Sequence, residues 1–312
     1  MRKHHRADND EDSSNLNNAN NGTSSYKYID GRKYINIENC EYPLPNDDEE
    51  VNRLQSQHYL YRYAWGGNFS SPIEELLCNS NGNVTILDVG CGPATFLLEM
   101  ASDYPQVNFI GIDVCPIFPL HIKPSNIRFI QMNVINNNGL CQLPFDDDTF
   151  DFIYLRSMGL SFKENQWSNL LMELCRIMKS GGWIELMECD LQFQNEGEIS
   201  TKLNKSIFSL LNSLYINPTI SQHLPQLLSN TNLLINLKRQ QLLIPCGSWG
   251  GRLGDMAKDN IIAFYRSIKP LIQPVMDIND KEYKKLCSEI TDSEINLHKS
   301  CMRSTRFYAQ KI

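Results

Sequence analysis

Short apolar runs alternate with amphipathic stretches through the middle of the chain. The runs are five or six residues long and fall at 84–89, 107–112, 127–132, 150–155 and 183–187. Runs of that length bounded by turn-forming residues are typical of buried strands. Between them, residues 94–104 and 164–178 carry apolar side chains at helical spacing. Strands that alternate with helices predict an α/β fold in which helices cover both faces of a parallel sheet.

The flanking regions predict further elements. Asp30-Gly31 lies between runs that carry Tyr and Ile, which indicates a short hairpin. A helix is predicted from Asn46 or Asp47, either of which can cap it, and a second, short helix at 73–78. Beyond residue 196 the pattern predicts helices at 199–214, 221–228, 255–272 and 280–299 and strands at 237–246 and 303–312.

The domain organisation follows from where apolar residues are dense. Residues 1–25 are rich in Asn and Ser and cannot bury enough apolar surface to offset the entropy of ordering, so we expect a disordered tail. Residues 26–312 are expected to form one domain. Its core would span 84–190, and the helices of 46–80 and 196–301 would lie on the substrate side.

The composition narrows the function classes. A formal net charge of -7 lacks the basic field of duplex nucleic-acid binders, which disfavours DNA or RNA as a partner. The ten cysteines include no C-x-x-C pair, so no metal site is predicted and reduced intracellular thiols are expected. No apolar stretch approaches the about 18 residues of a membrane span, and no signal-peptide core is present. We expect a cytoplasmic or nuclear protein without membrane contact.

The strongest local signal is the segment TILDVGCGPA at residues 85–94. Its apolar run contains Asp88 next to its end, and Gly90 and Gly92 then flank Cys91. Glycine lets the backbone approach a ligand closely and adopt conformations that a Cβ forbids. Ligands of open α/β sheets bind where such a strand meets the next helix. The pattern favours a nucleoside cofactor, although a tight strand-to-helix turn has the same spacing.

Two more strand ends carry polar residues suited to a nucleoside. Asp113 follows the second strand, and its carboxylate oxygens can accept both hydroxyls of a ribose. Dinucleotide-binding proteins use the same device, so Asp113 does not select the cofactor. Asn133 follows the third strand and offers an acceptor oxygen, although the adjacent Asn136-Asn137-Asn138 also fit an ordinary turn.

Taken in order, these signals resemble the class I S-adenosylmethionine (SAM)-dependent methyltransferases. Residues 85–94 resemble that family's D/E-x-G-x-G-x-G motif, with Ala94 in place of the third glycine. LPFDDDTFDFIYLR at 143–156 resembles the entry into the family's fourth strand. ELCRIMKSGGW at 173–183 resembles the E-x-x-R-v-L-k-P-G-G passage before the fifth. The resemblance covers about residues 84–190 and implies a Rossmann-like, seven-stranded, mostly parallel sheet between helices.

The resemblance implies SAM as the cofactor and gives roles to particular positions. Asn133 stands where an acid or an amide commonly reads the adenine amino group, and Leu155 and Arg156 would face the methionine part or the substrate. Arg156 could hold a carboxylate bidentately or form a structural ion pair. No catalytic base is evident; His58 is the candidate, with ordinary packing as its alternative. The expected cofactor-binding residues are Asp88, Gly90, Cys91, Gly92, Asp113, Val114, Asn133, Val134, Leu155 and Arg156.

Segments outside the core resemble the fungal LaeA-like group within that family. They are His58 with residues 59–65, residues 185–188, and GSWGG at 247–251 with Gly254. The group includes regulators of secondary metabolism and small-molecule enzymes, so it names no substrate. No Asn-Pro-Pro-Tyr-type segment or Pro-Cys nucleophile follows the fourth strand, which argues against nucleic-acid methylation. The expected acceptor is a small molecule or a protein side chain.

Two other functions stay open on sequence grounds. An NAD-dependent oxidoreductase would require G-x-G-x-x-G, but Thr95 occupies the sixth position, and no Tyr-x-x-x-Lys dyad follows the fourth strand. A catalytically weak methyltransferase fold with a regulatory or scaffold role is compatible with Ala94, Asn133 and the missing base.

Overall fold

A computed structural model describes residues 25–38 and 40–312 of the chain. The disordered tail expected at 1–25 falls, apart from Ser25, outside these residues. The strands are β1 (Tyr26–Ile29), β2 (Arg32–Ile35), β3 (Thr85–Val89), β4 (Asn108–Asp113), β5 (Ile127–Gln131), β6 (Phe150–Arg156), β7 (Met178–Gln194), β8 (Leu234–Pro245) and β9 (Cys301–Lys311). The helices are α1 (Asp48–Trp65), α2 (Glu74–Cys78), α3 (Thr95–Asp103), α4 (Trp167–Ile177), α5 (Glu198–Ser213), α6 (Ile220–Ser229), α7 (Gly251–Met276), α8 (Asp280–Glu289) and α9 (Ile295–Leu297).

Seven strands form one sheet in the order β5-β4-β3-β6-β7-β9-β8. Strands β3 to β7 pair in parallel, and β9 runs antiparallel to both β7 and β8. The predicted fold class is therefore confirmed. Because the chain winds outward from β3 in one direction and returns to β6 on the other side, the carboxyl ends of β3 and β6 mark the switch point at which such sheets bind ligands.

Alternating side chains of the central strands bury against helices on opposite faces. Leu87 and Leu155 pack in one core cluster with apolar side chains of α4 and α6. Ile86 and Tyr154 pack in another with side chains of α3. Because helices cover both faces of the sheet, most side chains of the central strands β3 and β6 are buried, whichever face they point to. The central strands are therefore nearly continuous apolar runs.

A third core cluster lies where α1, α5, α7 and α8 pack against Met187 and Phe193 of β7. The glycine-rich segment before α7 makes a tight turn within this region. The amide of Gly247 donates to the carbonyl of Gly254 over 2.9 Å. A Cβ on Gly254 would lie 2.0 Å from the Gly247 carbonyl oxygen, so the turn requires glycine there.

Two elements differ from the sequence-based expectation. Strand β7 is longer than the predicted 183–187, and Gly181 and Gly182 lie inside it, beside a shift in the register with β6. The helix predicted at 280–299 is broken by a π-helical turn, Ile290–Glu294. The turn directs Glu294 to the first amides of α5, since its carboxylate accepts from the N–H groups of Ile199 and Ser200, both over 2.8 Å. No described helix is both long and apolar enough to cross a membrane.

Candidate functional site

A pocket opens at the carboxyl ends of β3, β4, β5 and β6, and α1 and the segment before it form its opposite wall. Its empty volume is about 1140 Å³, including the part open to solvent. The predicted residue Leu155 is absent from the lining, because its fully buried side chain points into the core on the α4 face. The other predicted cofactor-binding residues all line this pocket: Asp88, Gly90, Cys91, Gly92, Asp113, Val114, Asn133, Val134 and Arg156.

The glycine turn after β3 forms the floor of this first pocket. Gly90 and Gly92 adopt left-handed conformations with φ of 73° and 53°. A Cβ on Gly90 would lie 2.2 Å from Sδ of Met158. Ala94, which replaces the family's third glycine, is also left-handed with φ of 61°. The turn therefore favours glycine at Gly90 through its positive φ, and a side chain there would also require Met158 to move, whereas the helix start accommodates the buried Ala94 despite its positive φ.

Asp113 is held as a fixed pair of acceptors at the end of β4. Its Oδ2 accepts from the amide of Gly92 over 2.8 Å, and its Oδ1 accepts from the amide of Cys115 over 2.7 Å. Burial raises the pKa of Asp113 to about 6, and these amide hydrogen bonds oppose the shift. Each carboxylate oxygen has a further lone pair, so the group can accept two hydroxyls of a ligand.

Asn133 lies at the end of β5 beside the apolar side chains of Val114 and Val134. Its Oδ1 accepts from the amide of Ile135 over 3.1 Å, and its Nδ2 donates to the carbonyl of Glu38 over 3.4 Å. The Asn133 side chain thus stabilises its own turn, as expected if Asn133 belongs to an ordinary turn. The second lone pair of Oδ1 is left for a ligand.

Opposite charges meet on the inner wall of the first pocket. Asp88 is almost fully buried, and burial raises its pKa to about 7. The nearby Arg156 opposes that shift, while Asp113 adds to it. A buried carboxylate and a guanidinium on one wall suit a zwitterionic amino-acid group, which presents one ammonium and one carboxylate.

His58 does not line this pocket; it lies behind Arg156, with no exposed surface. Nη1 of Arg156 is 3.1 Å from its Nδ1, and Oε2 of Glu99 is 2.9 Å from its Nε2. Because arginine only donates, Nδ1 accepts and the Nε2–H donates to Glu99. Burial, aided by Arg156, lowers the pKa of His58 to about 4. Neither nitrogen of this neutral ring is free to take a proton from a substrate.

The groups that line the first pocket fit SAM. Two buried polar atoms, Oγ1 of Thr95 and Nδ2 of Asn46, have no hydrogen-bond partner in the described part of the chain, and both residues line the pocket. Asp113 offers acceptors for the ribose, and Asp88 with Arg156 matches the amino-acid end. Orphaned buried polar atoms are costly, so a polar ligand that reaches them would be favoured.

A second pocket adjoins the first and shares Tyr42, Leu54, Gln57 and Ser157 with it. Its empty volume is about 1010 Å³, including the part open to solvent. Its walls come from α1, the end of β7, and the helices α5, α6 and α7. Sequence reasoning placed these helices on the substrate side but named none of the lining residues, because they come from segments far apart in the chain.

The chain matches known proteins over the region that forms the first pocket. The family model described as "Methyltransferase domain" matches residues 86–182. "Methyltransferase pytC" of Aspergillus terreus is 30% identical over 177 residues, 56% of this chain and 50% of that protein. The "Secondary metabolism regulator laeA" of Coprinopsis cinerea is 27% identical over 161 residues, 51% of this chain and 38% of that protein. The chain thus spans about half the length of these relatives or less.

Residues 86–182 include the glycine turn, Asp113, Asn133 and all of β6. Together with the sheet order, the match shows that this part of the chain is similar to the class I SAM-dependent methyltransferases, a class whose cofactor is SAM. Within that class it is similar to the LaeA-like group of fungal proteins, which the sequence also predicted.

Proposed function

We propose that this chain transfers the methyl group of SAM to a small molecule held in the second pocket. The observation that carries the proposal is the continuity of the two pockets through Tyr42, Leu54, Gln57 and Ser157. Bound SAM supplies an electrophilic methyl group on a sulfonium with a good, neutral leaving group. For such a transfer the protein mainly aligns the reactants and excludes water.

The proposed roles of the first-pocket residues follow their chemistry. Asp113 would accept the ribose hydroxyls, and Val114, Val134 and Asn133 would surround the base. Asp88 would pair with the ammonium of the methionine part. Arg156 would pair with its carboxylate, as in the bidentate geometry that guanidinium groups favour. The glycine turn would let the backbone approach the ligand.

The helices outside the core would supply the acceptor side of a single domain. The second pocket takes α1 from the segment 46–80 and α5 to α7 from the segment 196–301. We favour a small molecule over a protein side chain because the pocket is bounded by several helices and the sheet. The match to the methyltransferase domain model gives no support to an NAD-dependent oxidoreductase. A regulatory protein without turnover is the alternative.

Two measurements test the proposal. Titration calorimetry should show binding of SAM and S-adenosylhomocysteine, and no binding of NADH. Mass spectrometry of a cell extract incubated with methyl-labelled SAM should show a labelled small molecule only when the protein is present. Absence of SAM binding contradicts the proposal. SAM binding without label transfer favours the regulatory alternative.

A further inference from the structure

A buried carboxylate lies in the wall of the second pocket. Glu188, near the end of β7, is 5% exposed. Its Oε1 accepts from the amide of Met158 over 2.8 Å, and its Oε2 accepts from the amide of Gly159 over 3.2 Å. Glu188 makes no ion pair within residues 25–38 and 40–312, and the one charged side chain that shifts its pKa is the like-charged Asp190. Burial raises that pKa to about 7.

The other charges around this pocket are already matched. Nη2 of Arg53 lies 2.6 Å from Oε1 of Glu50. Asp190 accepts from Ser221, and Nη1 of Arg303 lies 3.4 Å from its Oδ2. An anionic ligand would therefore meet the uncompensated Glu188 without a free cation to pair with. A cationic ligand would supply the partner that Glu188 lacks, because buried charges are stable only when paired.

Tyr265 of α7 also lines the second pocket. It is 3% exposed, and its hydroxyl has no hydrogen-bond partner among the described residues. The wall beside it is apolar, with Ile261, Phe264 and Phe193. A buried hydroxyl without a partner is unfavourable, and the apolar wall favours a ligand with an apolar body.

We propose that the second pocket binds an apolar molecule that carries a protonated amine, and that Glu188 pairs with this ammonium and removes its proton. The proton moves from nitrogen to a carboxylate oxygen of Glu188, and the N–H bonding pair stays on nitrogen as the lone pair. Nitrogen then becomes the nucleophile that methyl transfer requires. This inference rests on the proposed function, since it names the acceptor of the same reaction.

The test compares three probes of one shape: 3-phenylpropylamine, 3-phenylpropanol and 3-phenylpropanoate. Each is titrated calorimetrically into the full chain saturated with S-adenosylhomocysteine. We expect the amine to bind at least about tenfold more tightly than the alcohol, and the carboxylate to bind more weakly than both. Equal binding of amine and alcohol, tighter binding of the carboxylate, or no binding of any probe at millimolar concentration overturns the proposal.

Glu188→Gln should remove the preference for the amine, and the matched variant Asp190→Asn should keep it. The reverse pattern overturns the assignment to Glu188. Melting temperature and S-adenosylhomocysteine affinity show whether Glu188→Gln has kept its fold; if it has not, the three probes on the wild type decide. If the protein fails to bind S-adenosylhomocysteine, the proposed function is overturned. The three probes are then titrated without S-adenosylhomocysteine and still test whether the second pocket prefers an amine.

Discussion

The guanidinium of Arg156 is held by His58, whose Nδ1 lies 3.1 Å from Nη1 of the arginine. Glu99 of α3 accepts from the other nitrogen of the ring, and it also accepts from Nδ2 of Asn68 and contacts Arg62. This network joins α1, α3 and the end of β6 behind the first pocket. The sequence marked His58 as a candidate base, but from its contacts we infer that it positions Arg156.

His58→Ala is therefore expected to weaken SAM binding by about tenfold, because Arg156 loses a buried hydrogen-bond acceptor. A general base for the acceptor would leave SAM affinity unchanged. Calorimetric titration of SAM makes the distinction. His58→Ala and Arg156→Ala should also be strongly non-additive, since they share one interaction.

The exposed His223 offers a matched control, because its side chain is 53% exposed and lines neither pocket. His223→Ala should leave SAM affinity within about twofold of the wild type, as expected for a surface site. Unchanged SAM affinity in His58→Ala would contradict the positioning role.

SAM affinity is expected to fall as the pH drops from 8 to 5. Burial raises the pKa of Asp113 to about 6 and that of Asp88 to about 7, so both begin to take up protons in this range. A protonated carboxyl loses its charge and one acceptor site, and the ligand favours the ionised form, so binding weakens below these pKa values. Calorimetry across this range measures the effect. Asp88→Asn should weaken binding at pH 8 and flatten the part of the curve near pH 7.

Gly90→Ala is expected to destabilise the fold more than Gly66→Ala. Both glycines have similar positive φ angles, 73° and 68°, so both substitutions impose backbone strain of about 1–2 kcal/mol. A Cβ at Gly66 meets no atom within 4 Å, whereas at Gly90 it meets Sδ of Met158 at 2.2 Å. Overpacking at Gly90 should add about 1–3 kcal/mol.

The free energies of unfolding of Gly90→Ala and Gly66→Ala are measured by denaturant titration. Met158→Ala introduced together with Gly90→Ala should recover the excess cost, because it removes the atom that clashes. Equal destabilisation by Gly90→Ala and Gly66→Ala would show that Met158 moves aside without cost.

Most of the fold follows from local patterns in the sequence. The strands that build the sheet are short apolar runs. Of the two predicted N-cap residues of α1, Asp47 is the one that caps the helix, since its side chain accepts from the amide of Glu50. The break after α8 was missed because the apolar spacing at 280–299 continues through it. Its cause is a tertiary contact, the carboxylate of Glu294 on the first amides of α5.

The two pockets differ in how far the sequence predicts them. The first is built from strand ends, where Asp88 lies next to the end of one apolar run and Asp113 and Asn133 directly follow two others. The second depends on helices that pack across long stretches of chain. Glu188 was visible only as part of the segment 185–188, and nothing local shows that its carboxylate is buried in the wall of the second pocket.

The buried pair of Glu185 and Arg306 is expected to dominate the attachment of the segment after α1 to the sheet. The Glu185 carboxylate accepts from the amides of Ser70 and Ser71 over 2.7–3.0 Å, and Nε of Arg306 lies 3.5 Å from it. Glu185→Ala would leave two amides without an acceptor and the buried guanidinium of Arg306 without its carboxylate counter-charge, so it should destabilise the protein by about 3–5 kcal/mol. The exposed Asp147, which pairs with an arginine of α4, provides the comparison: Asp147→Ala should cost less than about 1 kcal/mol. Chemical denaturation measures the free energy of unfolding of both variants. Equal losses of stability would show that the buried contacts of Glu185 do not stabilise the protein.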